Sequence, residues 1–236
     1  LFEDGAEGQP TTIRQSKPLT VRQTSFGCGK LGATVWPSSV ALCLCLAANP
    51  DWVRGRRVLE LGAGCGLPSL LCLEVLGANG VLSTDFWELD EQGNYDGRKE
   101  PVPARLHGVN LKHNVRGEGA RVERVDWHKP DTILATKSFG ADFIIGSDLV
   151  YYPSNVQPLI ETLKILMEEE GGASEALLIS PLPPEAERES LPEFRRKLPL
   201  ELVQHNVEMD EIVLHRREEA ENQRYLRIAI RAKNSN

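Results

Sequence analysis

The residues best suited to ligand chemistry begin with three glycines at alternate positions, Gly62, Gly64 and Gly66. They directly follow the apolar segment 57–61 and precede an apolar segment that begins at Leu67. A strand, a tight turn and a helix in this order let a ligand approach the backbone where a side chain would block it. The pattern predicts a turn that contacts a nucleoside-like ligand; the alternative is a plain tight turn without a ligand.

The spacing of these glycines discriminates between two nucleoside cofactors. A dinucleotide-binding turn reads Gly-x-Gly-x-x-Gly and would put a glycine where this chain has Leu67. Pyrophosphate binds free amides at a helix N-terminus, whereas S-adenosylmethionine carries no phosphate. Asp85 ends the next predicted strand, and a carboxylate there can accept the ribose hydroxyls of either cofactor. The spacing therefore favours a protein that binds S-adenosylmethionine. A nicotinamide-dependent oxidoreductase is the second class of protein considered.

Two further segments place acids and aromatic residues directly after predicted strands. Asp126 and Trp127 follow the third strand. The carboxylate of Asp126 can accept a hydrogen bond from the amine of an adenine, and the indole of Trp127 can stack on the adenine ring. The alternative is that Trp127 simply covers the end of the sheet. Asp148 and Tyr151 follow the fourth strand at the carboxyl edge of the sheet, where ligands of α/β proteins bind. We expect the acceptor of the reaction at this edge. The Asn/Asp-Pro-Pro-Tyr/Phe turn typical of base amine methylation is absent, which disfavours nucleic-acid bases.

Short β-rich runs alternate with helical stretches after Arg56, which predicts a doubly wound α/β fold. The predicted strands are 57–61, 80–84, 121–125, 142–146, 176–180, 202–209 and 225–231. The predicted helices are 37–49, 67–77, 104–115, 156–169 and 185–197. Residues 216–224 lack a clear crossover helix, so the last two strands are predicted to pair antiparallel. We expect a seven-strand, Rossmann-like, mostly parallel sheet with an antiparallel last strand.

The chain is predicted to form one domain. Residues 1–17 have no periodic pattern and are predicted to be a flexible lead-in, followed by a single α/β domain over residues 18–232. Leu19, Val21 and Gln23 alternate as in a short strand at its start. Segment 86–103 is long for a strand-to-helix connection, and it is either an inconsequential insertion or a lid that faces the substrate.

Composition and charge restrict the partners. The formal net charge of −7 gives no general electrostatic basis for nucleic-acid binding. The five cysteines lack a Cys-x-x-Cys spacing, which predicts reduced thiols and no metal site. The longest apolar run, 40–48, is too short to span a bilayer, so no membrane partner is predicted. We expect a monomer in the cytoplasm, with the nucleus as a second compartment.

Several of these elements in this order resemble the class I methyltransferases of family 16, S-adenosylmethionine-dependent enzymes that mostly modify lysine in other proteins. The resemblance covers residues 32 to about 232 and rests on Val35-Trp36, the turn from Glu60 to Gly66, Thr84-Asp85, the helix with Asn110 and Asn114, Trp127, and Asp148-x-x-Tyr151. It implies cofactor contacts from Trp36, Gly62, Ala63, Gly64, Asp85, Trp127 and Ser147. Glu60 of the turn and Asp126 complete the predicted cofactor set. The resemblance also implies that Asp148 and Tyr151 are the catalytic residues beside the acceptor.

The implied function is methyl transfer from S-adenosylmethionine to an amine of a protein substrate, in the first place a lysine side chain. Trp36-Pro37 replaces the Trp-Asp that is more usual in the family and is similar to a branch that is arginine-directed. An arginine or N-terminal amine acceptor therefore stays open. A non-catalytic S-adenosylmethionine-binding module is a further alternative.

Overall fold

A computed structural model describes most of the chain between residues 18 and 233. The described residues are 18–24, 31–87, 102–115, 117–168, 171–182, 190–214 and 222–233. The predicted lead-in 1–17 and residues 88–101 of the long connection lie outside them, so neither prediction is tested here.

Seven strands form one sheet at the centre of the structure. They are β1 (Arg57–Leu61), β2 (Gly80–Asp85), β3 (Ala120–Arg124), β4 (Phe143–Ser147), β5 (Glu175–Pro181), β6 (His205–Leu214) and β7 (Gln223–Ala232). Their order across the sheet is β3-β2-β1-β4-β5-β7-β6. Neighbours among the first five pair in parallel, and β7 pairs antiparallel with both β5 and β6. The predicted fold class is confirmed, with the antiparallel β7 inserted between β5 and β6.

Six α-helices accompany the sheet in the described residues: α1 (Pro37–Ala48), α2 (Leu67–Glu74), α3 (Val102–Asn114), α4 (Pro130–Thr136), α5 (Val156–Met167) and α6 (Ser190–Glu201). Helices α1 and α2 cover one face of the sheet, and α4, α5 and α6 cover the other. Successive strand residues face opposite cores; Val58 packs on the α1 side, and Leu59 and Leu61 pack on the α5 side. Burial on both faces explains why these strands read as continuous apolar runs.

Two predicted elements near the C-terminus are displaced in the structure. The helix predicted at 185–197 begins at Ser190 in the described part of the chain and continues through Pro199, which lies on an exposed position of its last turn. The strand predicted at 202–209 is β6, which begins at His205 and extends to Leu214 because its pairing with β7 continues along its whole length. Across that pair, Asp210 bonds to Arg227 at 2.8 Å. Helix α4 was not predicted because its seven residues are too few for a periodic pattern.

The predicted strand at 19–23 is not part of a sheet. Residues 18–24 have no regular secondary structure, and side chains of α3 bond to their backbone. The amide of Thr20 donates to Asn114 Oδ1 at 2.9 Å, and the amide of Arg22 donates to Asn110 Oδ1 at 2.7 Å. Alternate residues are therefore bonded, which accounts for the period of two in the sequence.

The described cysteines form no disulfide bonds. Cys43, Cys45, Cys65 and Cys72 are free thiols, and Cys28 lies outside the described residues. Within the described ranges, no group of three or more His, Cys, Asp and Glu side chains is arranged to hold a metal ion. None of the helices described here is both long enough and apolar enough to cross a membrane.

Candidate functional site

A cavity of about 670 Å³ lies at the carboxyl ends of β1, β2 and β4. Strands β1 and β4 are neighbours, and the chain continues from them toward opposite edges of the sheet. This is the switch point at which open α/β sheets bind their ligands. The cavity is lined by every predicted site residue except Glu60: Trp36, Gly62, Ala63, Gly64, Asp85, Asp126, Trp127, Ser147, Asp148 and Tyr151.

All three glycines of the turn have left-handed backbones, with φ of 60° at Gly62, 53° at Gly64 and 78° at Gly66. Side chains are disfavoured at these angles. A Cβ on Gly62 would lie 2.6 Å from Leu149 Cδ2, and one on Gly64 would lie 3.1 Å from the carbonyl oxygen of Gly32. Protein neighbours, and not only an approaching ligand, therefore require glycine at this turn.

The third glycine faces a buried histidine. A Cβ on Gly66 would collide with the imidazole of His107 and lie 2.7 Å from its Cδ2. His107 is 1% exposed, and neither ring nitrogen has a hydrogen-bond partner. Burial lowers the pKa of this imidazole to about 4, so the ring is neutral at pH 7. Sequence reasoning missed His107; its position three residues before Asn110, on the same face of α3, is the signal that points to it.

Asp85 lies at the end of β2 with its carboxylate against the glycine turn. Its Oδ2 accepts the Gly64 amide at 2.5 Å and its Oδ1 accepts the Phe86 amide at 2.7 Å. Burial raises the pKa of this carboxyl, and the two amide hydrogen bonds oppose that rise. Each oxygen keeps a second lone pair, so Asp85 can still accept hydroxyl groups of a ligand.

Glu60 lies behind the cavity wall, apart from the other predicted cofactor residues. Its buried carboxyl accepts the amide of Ser69 at 3.0 Å and also the hydroxyl of Ser69, which in turn accepts the Ser83 hydroxyl at 2.7 Å. Burial raises the pKa of Glu60 to about 8, against the opposing effect of the Ser69 hydrogen bonds. Glu60 is therefore neutral at pH 7, and its bonds to Ser69 join β1 to α2 on either side of the glycine turn. Its direct contact with a cofactor stays a prediction.

Two loops meet at the far side of the cavity. After β3, Asp126 Oδ1 accepts the amide of His128 at 3.0 Å, and Trp127 is half-buried beside them. The His128 Nε2 lies 3.1 Å from Asn155 Oδ1, which joins this loop to the turn after β4. His128 and Asn155 both line the cavity. Sequence reasoning missed this pair, although His128 directly follows the predicted Trp127.

Asp148 follows β4 in a strained conformation. Among the described residues other than glycine, only Asp148 has a positive φ, at 58°. Its amide donates to the carbonyl oxygen of Ile179 on β5 at 2.8 Å, which holds this backbone in place. Strained backbone of this kind is often found at functional sites. The preceding Ser147 lies with its Oγ 3.0 Å from the Oγ of Ser39, so α1 meets β4 here.

Exposed aromatic rings line the cavity after β2 and β4. The rings of Tyr151 and Tyr152 lie edge to face with centroids 4.8 Å apart. Phe86 is 51% exposed, and the guanidinium of Arg124 lies 5.1 Å from its ring centroid. Tyr152 and Phe86 were not predicted, although each directly follows a predicted site residue. These rings offer apolar faces and edges to an acceptor side chain.

The charged residues that line the cavity are all acidic. Asp85, Asp126 and Asp148 are present, and the described lining residues include neither Lys nor Arg. Arg124 lies outside the lining, with its Nη2 3.6 Å from Asp126 Oδ2. A lining that holds three carboxylates and, among its described residues, neither Lys nor Arg favours a cationic ligand and disfavours a phosphate-bearing one.

The parallel sheet, the glycine turn at its switch point and the acidic cavity define a protein of the Rossmann-like methyltransferase class. Solved structures agree on the fold. A methyltransferase from Anabaena variabilis, titled as dependent on S-adenosylmethionine, superposes with a TM-score of 0.55 at 12% identity, over 82% of this chain and 84% of that chain. A protein of the NAD-binding Rossmann superfamily from Streptococcus agalactiae gives 0.51 at 11% identity, over 86% and 71%.

The chain belongs to the lysine methyltransferase family, whose model matches residues 13–182. This confirms the family that the sequence resembles. Protein N-lysine methyltransferase METTL21A of Danio rerio is 28% identical over 183 residues, 76% of this chain and 74% of that protein. The calmodulin-lysine N-methyltransferase of Arabidopsis thaliana is 29% identical over 62% of this chain and 44% of that protein. The protein N-terminal and lysine N-methyltransferase of Schizosaccharomyces pombe is 31% identical over 57% and 50%. The chain thus spans about half the length of the last two relatives.

Proposed function

We propose that this protein transfers a methyl group from S-adenosylmethionine to the side-chain amine of a lysine in another protein. The observation that carries the proposal is the charge of the cavity, which is lined by three carboxylates and, among its described residues, by no Lys or Arg. Both reactants bring positive charge, since one carries a sulfonium and the other an ammonium group. Neither Lys nor Arg among these lining residues would neutralise the charge of a pyrophosphate-bearing cofactor.

The lining residues fit S-adenosylmethionine in their chemistry. The left-handed glycines leave bare backbone for a nucleoside, and Asp85 keeps lone pairs for two ribose hydroxyls. Asp126 and Trp127 offer an acceptor and a ring face for adenine. Trp36 and Ser147 would complete the contacts. The cofactor supplies an electrophilic methyl group on a positively charged sulfur.

The chain's own contribution to catalysis is to bind the acceptor amine, to orient it and to help remove its proton. A free lysine has a pKa near 10.4, so presenting it without its proton at pH 7 costs about 4–5 kcal/mol. Asp148 attracts the entering ammonium and guides its proton away, while Tyr151 offers its ring and hydroxyl to the amine. When bound, the cofactor would supply the methyl carbon to which the neutral amine binds, with the electron pair of the broken carbon–sulfur bond staying on sulfur. Exclusion of water and in-line alignment supply much of the rate.

The test replaces Asp148 by Asn, which tolerates a positive φ and removes the charge. We expect S-adenosylhomocysteine to bind within about twofold of the unmodified protein, and labelling of a cell lysate with tritiated S-adenosylmethionine to fall about a hundredfold or more. Loss of S-adenosylhomocysteine binding with the fold intact would contradict an acceptor-side role for Asp148. Undiminished labelling would remove it from the mechanism.

Mass spectrometry of the labelled residue decides between the acceptors. Lysine is favoured because the three quoted relatives are all named for lysine, although the fission yeast relative is named for N-terminal amines as well. Binding of S-adenosylhomocysteine without any labelled protein would favour a non-catalytic module. The cytoplasmic location and monomeric state stay predictions from the sequence, and the net charge of −7 supports a partner other than nucleic acid.

A further inference from the structure

We propose that Asn110 is a positioning residue that holds two walls of the donor cavity together. One wall is the glycine turn, and the other is segment 32–36, whose described lining residues include Trp36. The inference rests on the proposed function, because it assigns a role in binding the methyl donor.

The side chain of Asn110 is fully buried and bonds two distant parts of the chain. Its Oδ1 accepts the amide of Arg22 at 2.7 Å, and its Nδ2 donates to the carbonyl oxygens of Arg22 at 3.0 Å and Cys65 at 2.9 Å. One amide group thus uses both donors and an acceptor. Cys65 belongs to the glycine turn, so this side chain joins the turn directly to residues 18–24, here named the N-terminal strap.

The N-terminal strap continues the connection to the second wall. The side-chain oxygen of Gln23 accepts the amide of Val35 at 2.9 Å, and the amide of Thr24 donates to the carbonyl oxygen of Ala33 at 2.8 Å. Val35 lines the cavity. A displacement of the strap would therefore move segment 32–36.

The two walls also meet directly, which makes their spacing sensitive to such a displacement. The Sγ of Cys65 lies 3.6 Å from the carbonyl oxygen of Gly32, and a Cβ on Gly64 would lie 3.1 Å from the same oxygen. Asn110 lies outside the lining of the cavity and bonds the glycine turn to the strap, which in turn bonds segment 32–36. Its role is to fix the width of the donor site without touching the donor.

Asn114 is a matched control on the same face of α3. Its Oδ1 accepts the amide of Thr20 at 2.9 Å, and its Nδ2 donates to the carbonyl oxygens of Thr20 at 2.8 Å and Asn110 at 2.7 Å. It is also buried, and it bonds the amide and the carbonyl oxygen of Thr20 in the strap as Asn110 bonds those of Arg22. Its remaining donor bonds the backbone of α3 at Asn110 and not, within the described residues, the glycine turn, so the two residues differ chiefly in the contact that Asn110 makes with Cys65.

The first test compares Asn110→Asp with Asn114→Asp by thermal unfolding and by calorimetric titration with S-adenosylhomocysteine. Each change removes two donors from a buried site, so both are expected to lower the Tm. Only Asn110→Asp is expected to raise the Kd for S-adenosylhomocysteine by tenfold or more and to raise the KM for the donor more than it lowers kcat. Equal increases in Kd, or none in Asn110→Asp, would overturn the inference. Failure of the unmodified protein to bind S-adenosylhomocysteine would instead overturn the proposed function.

The second test needs no variant, so it can test the coupling between the strap and the donor site even if Asn110→Asp does not fold. Hydrogen exchange at the amides of Thr20 and Arg22 is measured in the unmodified protein with and without saturating S-adenosylhomocysteine. Because coupling between two sites is reciprocal, ligand binding is expected to slow exchange at Arg22 by fivefold or more. Unchanged exchange at Arg22 would show that the strap and the donor site are independent.

Discussion

Replacement of Gly66 by Ala tests whether a buried ring, and not only a ligand, requires glycine in the cofactor turn. The new Cβ would meet the His107 imidazole, 2.7 Å from Cδ2, on a backbone whose φ is 78°. A left-handed backbone costs a non-glycine residue about 1–2 kcal/mol, and overpacking of a filled core costs about 1–3 kcal/mol. The free energy of unfolding is therefore expected to fall by about 2–5 kcal/mol.

The two contributions separate in a double-mutant cycle with His107→Ala. Removal of the imidazole eliminates the clash but leaves the backbone strain, so Gly66→Ala is expected to cost only about 1–2 kcal/mol in that background. Urea unfolding of all four proteins at neutral pH, without ligand, gives the coupling energy directly. A coupling below about 0.5 kcal/mol would refute the reasoning, because it would mean that the ring does not restrict this position.

Two further predictions concern buried carboxyl groups at the same turn. Burial raises the pKa of Glu60 from 4.5 to about 8, so the folded state keeps a proton that the unfolded state releases between those values. This group therefore lowers stability as pH rises through that window, by up to about 1.4 kcal/mol per unit. Glu60→Gln should remove that dependence, and an unchanged slope in urea unfolding at several pH values would disprove it. Asp85→Asn is expected to raise the Kd for S-adenosylhomocysteine by tenfold or more in calorimetric titration, because ribose hydroxyls lose a charged acceptor; an unaltered Kd would exclude the ribose contact.

The sheet could be predicted from the sequence because each of its central strands is an apolar run that is visible locally. Val58 and Leu59 pack on opposite cores, so an uninterrupted apolar run predicts a strand buried on both faces. The position of the cavity could also be predicted, because the residues that follow parallel strands meet at one edge of the sheet. Asp85 and Asp148 could therefore be placed together from their positions at strand ends.

The supporting residues of the site leave a weaker signal. Asn110 enters only through the resemblance and His107 only through its spacing from Asn110, because the groups that they contact, in the glycine turn and at Arg22, lie far away in the sequence. The period of two at residues 19–23 was interpreted as a strand, whereas the amide partners are asparagine side chains. The second half of β6 was missed because Asp210 looks solvent-exposed in sequence, while its bond to Arg227 can only be found in three dimensions.

Strand β6 has a consequence for how copies of this chain behave at high concentration. It is the outermost strand of the sheet beside β7, and a free strand edge invites pairing with another chain. Three carboxylates lie along it, Glu208, Asp210 and Glu211, each bonded to an arginine of β7 and not to a group beyond the edge in the described residues. Two such edges brought together would place acid against acid, which is unfavourable for directly opposed strands. The ion pairs that fix β6 within the sheet thus also protect the protein from edge-to-edge aggregation.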